Sequence, residues 1–107
     1  MDLSNSKNLK VTPRFEMIQN LERLDLTGCI SLLEVHPSIG HLTELAFLSL
    51  QNCTSLVTLD FGNARRLRSL RVLRLAGCTK LENTPDFSGT LILQYLDMAM
   101  HKFIHDS

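Results

Sequence analysis

The sequence carries no excess charge of either sign: eleven Lys and Arg balance eleven Asp and Glu over 107 residues. With no whole-chain field to draw it toward nucleic acid or an anionic membrane, its partners must be sought in local surfaces. Long apolar runs are missing too. Arg, Glu, Asp or Lys interrupts each leucine cluster within a few positions, so no stretch approaches the roughly 20 residues that cross a bilayer. The opening Met1-Asp2-Leu3-Ser4-Asn5-Ser6-Lys7 lacks the apolar segment of roughly 7 to 15 residues of a secretory signal, so secretion is not expected. In the reducing compartment that follows, the three cysteines, an odd number, remain free thiols. They form no C-x-x-C cluster of the sort that holds zinc, and neither a metal nor a cofactor is expected. Asn52-Cys53-Thr54 has the form of a glycosylation sequon, which is used only in the secretory pathway.

What the chain does have is a packable composition, 44% hydrophobic and 21% charged, and strong self-similarity. Leu21-Glu22-Arg23-Leu24-Asp25-Leu26-Thr27-Gly28-Cys29-Ile30-Ser31-Leu32 recurs from Leu45 to Leu56 and from Leu70 to Leu81, each copy fitting L-x-x-L-x-L-x-x-C-x-x-L. A weaker copy begins at Leu93, with His101 in the Cys slot and Ile104 in the last Leu slot, and a headless one opens the chain through Met1, Leu3, Ser6 and Leu9. The third apolar slot falls at Leu3, Leu26, Leu50, Leu75 and Met98, in steps of 23, 24, 25 and 23 residues, which is a leucine-rich-repeat period. One domain over 1–107 is expected, with repeats at about 1–20, 21–44, 45–69, 70–92 and an incomplete 93–107.

The alternation in Leu24-Asp25-Leu26 is that of a strand with one buried face. Each coil then turns, runs back through a less regular segment and starts a parallel strand beside the last. The expected fold is an α/β-type leucine-rich-repeat solenoid of about five coils, with short parallel strands on the concave face and irregular or short helical convex segments. One coil cannot bury its own apolar side, so stability comes from stacking. In the back segments, Val35-His36-Pro37-Ser38-Ile39-Gly40 and Asn83-Thr84-Pro85-Asp86-Phe87-Ser88-Gly89 read as extended or turning backbone, and 63–70 as a short helical turn.

The Cys in the repeat, Val35-His36-Pro37-Ser38-Ile39-Gly40-His41-Leu42 and Thr84-Pro85-Asp86-Phe87-Ser88 make nearly the whole chain resemble the leucine-rich-repeat region of plant intracellular disease-resistance receptors. These belong to the class with a Toll-type signalling domain and a nucleotide-binding domain upstream. Cell-surface plant repeats resemble a different pattern, with Asn in the Cys slot followed by Gly-x-Ile-Pro, which is missing here. The resemblance implies a cytoplasmic or nuclear protein that recognises a pathogen effector or a guarded host protein, or contacts other domains of a full-length receptor. No Gly-x-x-x-x-Gly-Lys-Ser/Thr phosphate loop is present, so nucleotide binding and signalling are not carried over. The chain reads as a fragment, and its uncapped ends are expected to favour self-association.

Three readings of its chemistry follow: a protein-recognition scaffold without enzymatic activity, a truncated or degenerate fragment with none of its own, and, remotely, a cysteine-dependent hydrolase. Cys29, Cys53 and Cys78 occupy identical slots one coil apart, where burial explains them without catalysis. His36, His41, His101 and His105 share no motif and read as surface turn residues. Arg65, Arg66 and Arg68 fall on the convex side and Arg71 and Arg74 on the concave side, which splits a cationic run that would otherwise attract phosphate. The concave sheet is the candidate contact surface. Its middle outward column reads Asp25, Ser49, Arg74, Asp97, with Arg74 beside the oppositely charged Asp97. The column two residues earlier reads Arg23, Phe47, Val72, Tyr95, whose apolar members resemble interface anchors.

Overall fold

A computed structural model describes residues 1–62 and 67–82, together with the backbone of residues 95–97. Four three-residue strands form one parallel sheet in sequence order: β1 (Arg23–Asp25), β2 (Phe47–Ser49), β3 (Val72–Arg74) and β4 (Tyr95–Asp97). The register is unbroken. Leu24 faces Leu48, Leu48 faces Leu73 and Leu73 faces Leu96, so the strand positions of successive repeats are in phase. The opening segment joins the sheet edge through a parallel bridge from Asp2 to Asp25, and the Leu3 N–H donates to the Asp25 carbonyl at 2.8 Å.

The apolar slots form one continuous core. Leu24, Leu48 and Leu73 point in from mid-strand, Leu26, Leu50 and Leu75 follow each strand, and Leu32, Leu56 and Leu81 follow the turn, all buried. Phe15, Ile39 and Phe61 fill the space toward the back. Burial of a leucine or phenylalanine side chain contributes about 1.5–3 kcal/mol, so the stacked slots are the main source of cohesion.

β1, β2 and β3 end in the same turn, as does the bridged opening segment, and the turn explains the residue before each cysteine. Asn5, Gly28, Asn52 and Gly77 have φ of 61°, 76°, 62° and 82°, a left-handed conformation that glycine adopts freely and asparagine tolerates. The ladder continues through this turn, with the Gly28 N–H donating to the Gln51 carbonyl and the Asn52 N–H to the Ala76 carbonyl, each at 2.8 Å.

The back segments are more ordered than extended backbone. Pro37–His41 forms a 3-10 turn with proline at its start, where no N–H is needed. His36 caps it, Nδ1 accepting from the Ser38 N–H at 3.0 Å. Ahead of that turn a second line of pairing runs along the chain: Val11 bridges Glu34, and the Glu82 N–H donates to the Val57 carbonyl at 2.8 Å. Of the short helical turn expected over 63–70, residues 67–70 form a turn, the Leu70 N–H donating to the Leu67 carbonyl at 3.3 Å, whereas residues 63–66 and the turn expected at 83–89 lie outside the described residues. No helix among the described residues is long and apolar enough to cross a membrane.

Candidate functional site

Alternation along the strands sends Arg23, Phe47 and Val72 to one outward column and Asp25, Ser49 and Arg74 to the next. The backbone of β4 extends both, placing Tyr95 opposite Val72 and Asp97 opposite Arg74. The side chains of Tyr95 and Asp97 lie outside the described residues, and so does the charge pairing expected between Arg74 and Asp97. Arg23 is exposed, and Phe47, Val72, Asp25 and Arg74 are half-buried.

The first column is not a bare aromatic stripe. The Arg23 guanidinium carbon lies 3.8 Å from the centroid of the Phe47 ring, close enough for a cation–π contact. A planar guanidinium stacked on a ring keeps its N–H groups free at its rim, the geometry with which arginine grips a carboxylate. Sequence reasoning placed both residues in one column but missed the pairing. The signal was there, since in-phase repeats make Arg23 and Phe47 direct cross-strand neighbours.

Ser49 departs from its neighbours, being 2% exposed. Its hydroxyl shares a hydrogen bond of 2.7 Å with Thr27 Oγ1, so it ties two strand ends together and is not offered to a partner. Asp25 is also engaged within its own turn, Oδ1 accepting from the Thr27 N–H at 3.0 Å. At the sheet edge, Asp2 Oδ1 accepts from the Ser4 N–H at 2.9 Å and from the Ser4 hydroxyl. These bonds, the side-chain one foremost, hold the Asp2 carboxyl below its usual range, with Arg23 a lesser contributor. Beside the outward face, in the residues just before the strands, Glu22, Glu44, Ala46, Ser69 and Arg71 outline a shallow depression.

The thiols are all inside, each at 0% exposure, and each donates to a backbone carbonyl of the preceding repeat: Cys29 Sγ to Leu3 at 3.2 Å, Cys53 Sγ to Leu26 at 3.2 Å and Cys78 Sγ to Leu50 at 2.9 Å. Burial pushes the Cys53 thiol up to about 12 and the Cys78 thiol to about 11, and raises Cys29 as well. A nucleophilic cysteine needs the opposite shift. His36 likewise has structural work. Its Nδ1 meets the Ser38 hydroxyl at 2.8 Å, and that hydroxyl accepts the buried Phe15 N–H at 2.8 Å. Of the cationic run, Arg68 and Arg71 are exposed, whereas Arg65 and Arg66 lie outside the described residues, as do His101 and His105. Among the described residues no group of three or more His, Cys, Asp or Glu is placed to hold a metal ion.

No protein-family model matches the chain. Individual relatives do. The chain is 38% identical over 91 residues to the TMV resistance protein N of Nicotiana glutinosa, 41% over 85 residues to the disease resistance protein RPP4 of Arabidopsis thaliana, and 35% over 94 residues to the disease resistance protein RPP2A of the same plant. The matches cover 85%, 79% and 88% of this chain, but only 8%, 7% and 7% of those proteins, so the chain spans less than a tenth of their length. Identity at this level over most of the chain shows that the chain belongs to the family of plant disease-resistance proteins.

Proposed function

We propose that this chain is a stretch of leucine-rich-repeat solenoid of about five coils, and that its outward sheet face recognises proteins in a cytoplasmic plant immune receptor. The partner is a pathogen effector, a host protein altered by one, or another domain of the receptor. The observation that carries the reading is the unbroken register from β1 to β4, which lines up Arg23, Phe47 and Val72 as an extended mixed surface. Solenoids use such surfaces for protein contacts. The reading is non-enzymatic: thiols that are buried and hard to ionise favour a packing role for the cysteines over a hydrolase.

A photocrosslinking amino acid placed at Val72, in the receptor that carries this segment, tests the reading in leaf tissue. Met17, which is 91% exposed and lies in a back segment, is the control position. Discrete adducts are expected from position 72, lost on Phe47→Ala in protein whose circular dichroism is unchanged. Equal labelling from both positions would overturn the assignment of the sheet face.

A further inference from the structure

The outward face contains one cation whose surroundings are arranged but incomplete. Arg23 is exposed, its guanidinium is stacked on Phe47, and its side chain makes no hydrogen bond or ion pair among the described residues. The carboxylates at the two ends of the Asp2–Asp25 bridge each spend an oxygen on a local turn, and of these Asp2 feels the Arg23 charge as a lesser effect. Asp25 Oδ1 closes a turn onto the Thr27 N–H, and Asp2 Oδ1 is bonded twice by Ser4. Stacking fixes the plane of the guanidinium and removes part of the rotamer freedom that an exposed arginine would lose on binding. On the other side of Phe47 in the same column stands Val72, half-buried and apolar.

We propose that the Arg23–Phe47 pair receives the acidic side chain of a partner protein, with an aliphatic residue next to that acid packing over Phe47 and Val72. The inference rests on the reading of this face as a protein-docking surface and adds its chemistry. The rim of the guanidinium donates two parallel N–H bonds to the carboxylate, the ring screens the opposite side from water, and the acid supplies the directly bonded partner that Asp2, which feels the Arg23 charge without bonding to it, does not. Neutral Asn or Gln in the partner cannot match this, because it offers a single acceptor oxygen and no charge.

The test uses the full 107-residue chain labelled with nitrogen-15 and two probes, acetyl-Glu-Leu amide and acetyl-Gln-Leu amide. On titration with the acidic probe, the Arg23 Nε–Hε resonance and the Phe47 ring protons are expected to shift saturably, with affinity on the order of tenfold above that of the Gln probe. Arg23→Gln should abolish the response. Phe47→Leu, which keeps the guanidinium but removes its platform, should weaken it, and Arg71→Gln should leave it unchanged. Equal responses at Arg23 and Arg71, or equal affinity for the two probes, would overturn the proposal, since either would show a generic surface arginine. The crosslinking experiment at Val72 keeps the two failures apart: persistent adducts without an acid-specific Arg23 response reject this inference and leave the docking face standing, whereas an acid-specific response without adducts rejects the docking face itself.

Discussion

The thiol of Cys53 donates to the Leu26 carbonyl of the preceding repeat at 3.2 Å, and that same oxygen accepts the Cys29 N–H at 3.2 Å. One carbonyl thus joins the turn of its own repeat to the side chain of the next. Cys53→Ala would leave the oxygen with its amide partner, so the loss is a small cavity and a weak bond, about 1–2 kcal/mol in a denaturant melt. Cys53→Leu must push into a filled slot and should cost about 1–3 kcal/mol with a broadened transition. A leucine variant as stable as the parent would show that the slot is loose.

The raised thiols give stability a sign with pH. A thiol with an ordinary value of 9.0 that rises to about 12 at Cys53 and about 11 at Cys78 stays protonated in the fold after it has ionised in the unfolded chain. The contribution is complete below about pH 9 and is lost progressively between 9 and 12 as the unfolded chain releases protons that the fold retains. Melting temperature should therefore fall across that window and fall less steeply in Cys53→Ala. At pH 8, iodoacetamide should leave all three cysteines of the native chain unlabelled and modify all three in denaturant.

Much of this arrangement was legible because a repeat writes its own register. Leu24, Leu48 and Leu73 occupy one slot at steps of 24 and 25 residues, and aligning the slots alone puts Arg23 beside Phe47 and Phe47 beside Val72. Alternation gives direction but not depth. Ser49 occupies an outward slot yet is buried, because its short side chain sinks beside Thr27 and bonds to it. Nor does composition of a column reveal which members touch: Arg23 interrupts an apolar column, and only the closeness of the adjacent strand turns that interruption into a stacked pair. The back segments were harder to read for a related reason. The cap that His36 makes for Pro37–His41 and the Phe15 bond to Ser38 join residues 2 and 23 apart, and neither follows from the strand period.

Alternation of Asn and Gly before the cysteines creates a coupling that two single variants and their combination expose. A side chain on Gly77 would enter the left-handed region at φ 82° and run into the Asn52 side-chain oxygen of the preceding repeat. Gly77→Ala should cost at least about 1–2 kcal/mol from conformation alone, with the crowding added. Asn52→Gly should be within about 0.5 kcal/mol of the parent. In the double variant the clash with the Asn52 side chain is gone and only the close approach to its Cα, 3.2 Å, remains, so the combined loss should be smaller than the sum of the singles. Additive losses would mean that the backbone angle, and not Asn52, sets the cost.

Arg23 and Phe47 also hold each other in the unliganded fold. An exposed cation–π contact is worth about 0.5–1 kcal/mol, so Arg23→Ala and Arg23→Gln should each lower stability by that order. Lysine at this position should recover little, because an ammonium group does not stack flat on a ring. A double-mutant cycle with Phe47→Leu isolates the contact, and a coupling energy indistinguishable from zero would show the stack to be energetically idle.

The buried network under the 3-10 turn separates two residues whose roles look interchangeable. Ser38 is 4% exposed, and its hydroxyl accepts the Phe15 N–H while contacting His36 Nδ1. Ser38→Ala strands a buried donor at Phe15, which costs about 1–3 kcal/mol. His36→Ala removes the cap from the Ser38 N–H but leaves the Ser38 hydroxyl in place to accept from Phe15. Both variants should destabilise the chain, yet only Ser38→Ala should raise the hydrogen-exchange rate of the Phe15 amide relative to its neighbours in the core. If His36→Ala exposes that amide equally, then the imidazole positions the hydroxyl, and His36 rather than Ser38 is the keystone that fastens this back segment to the core.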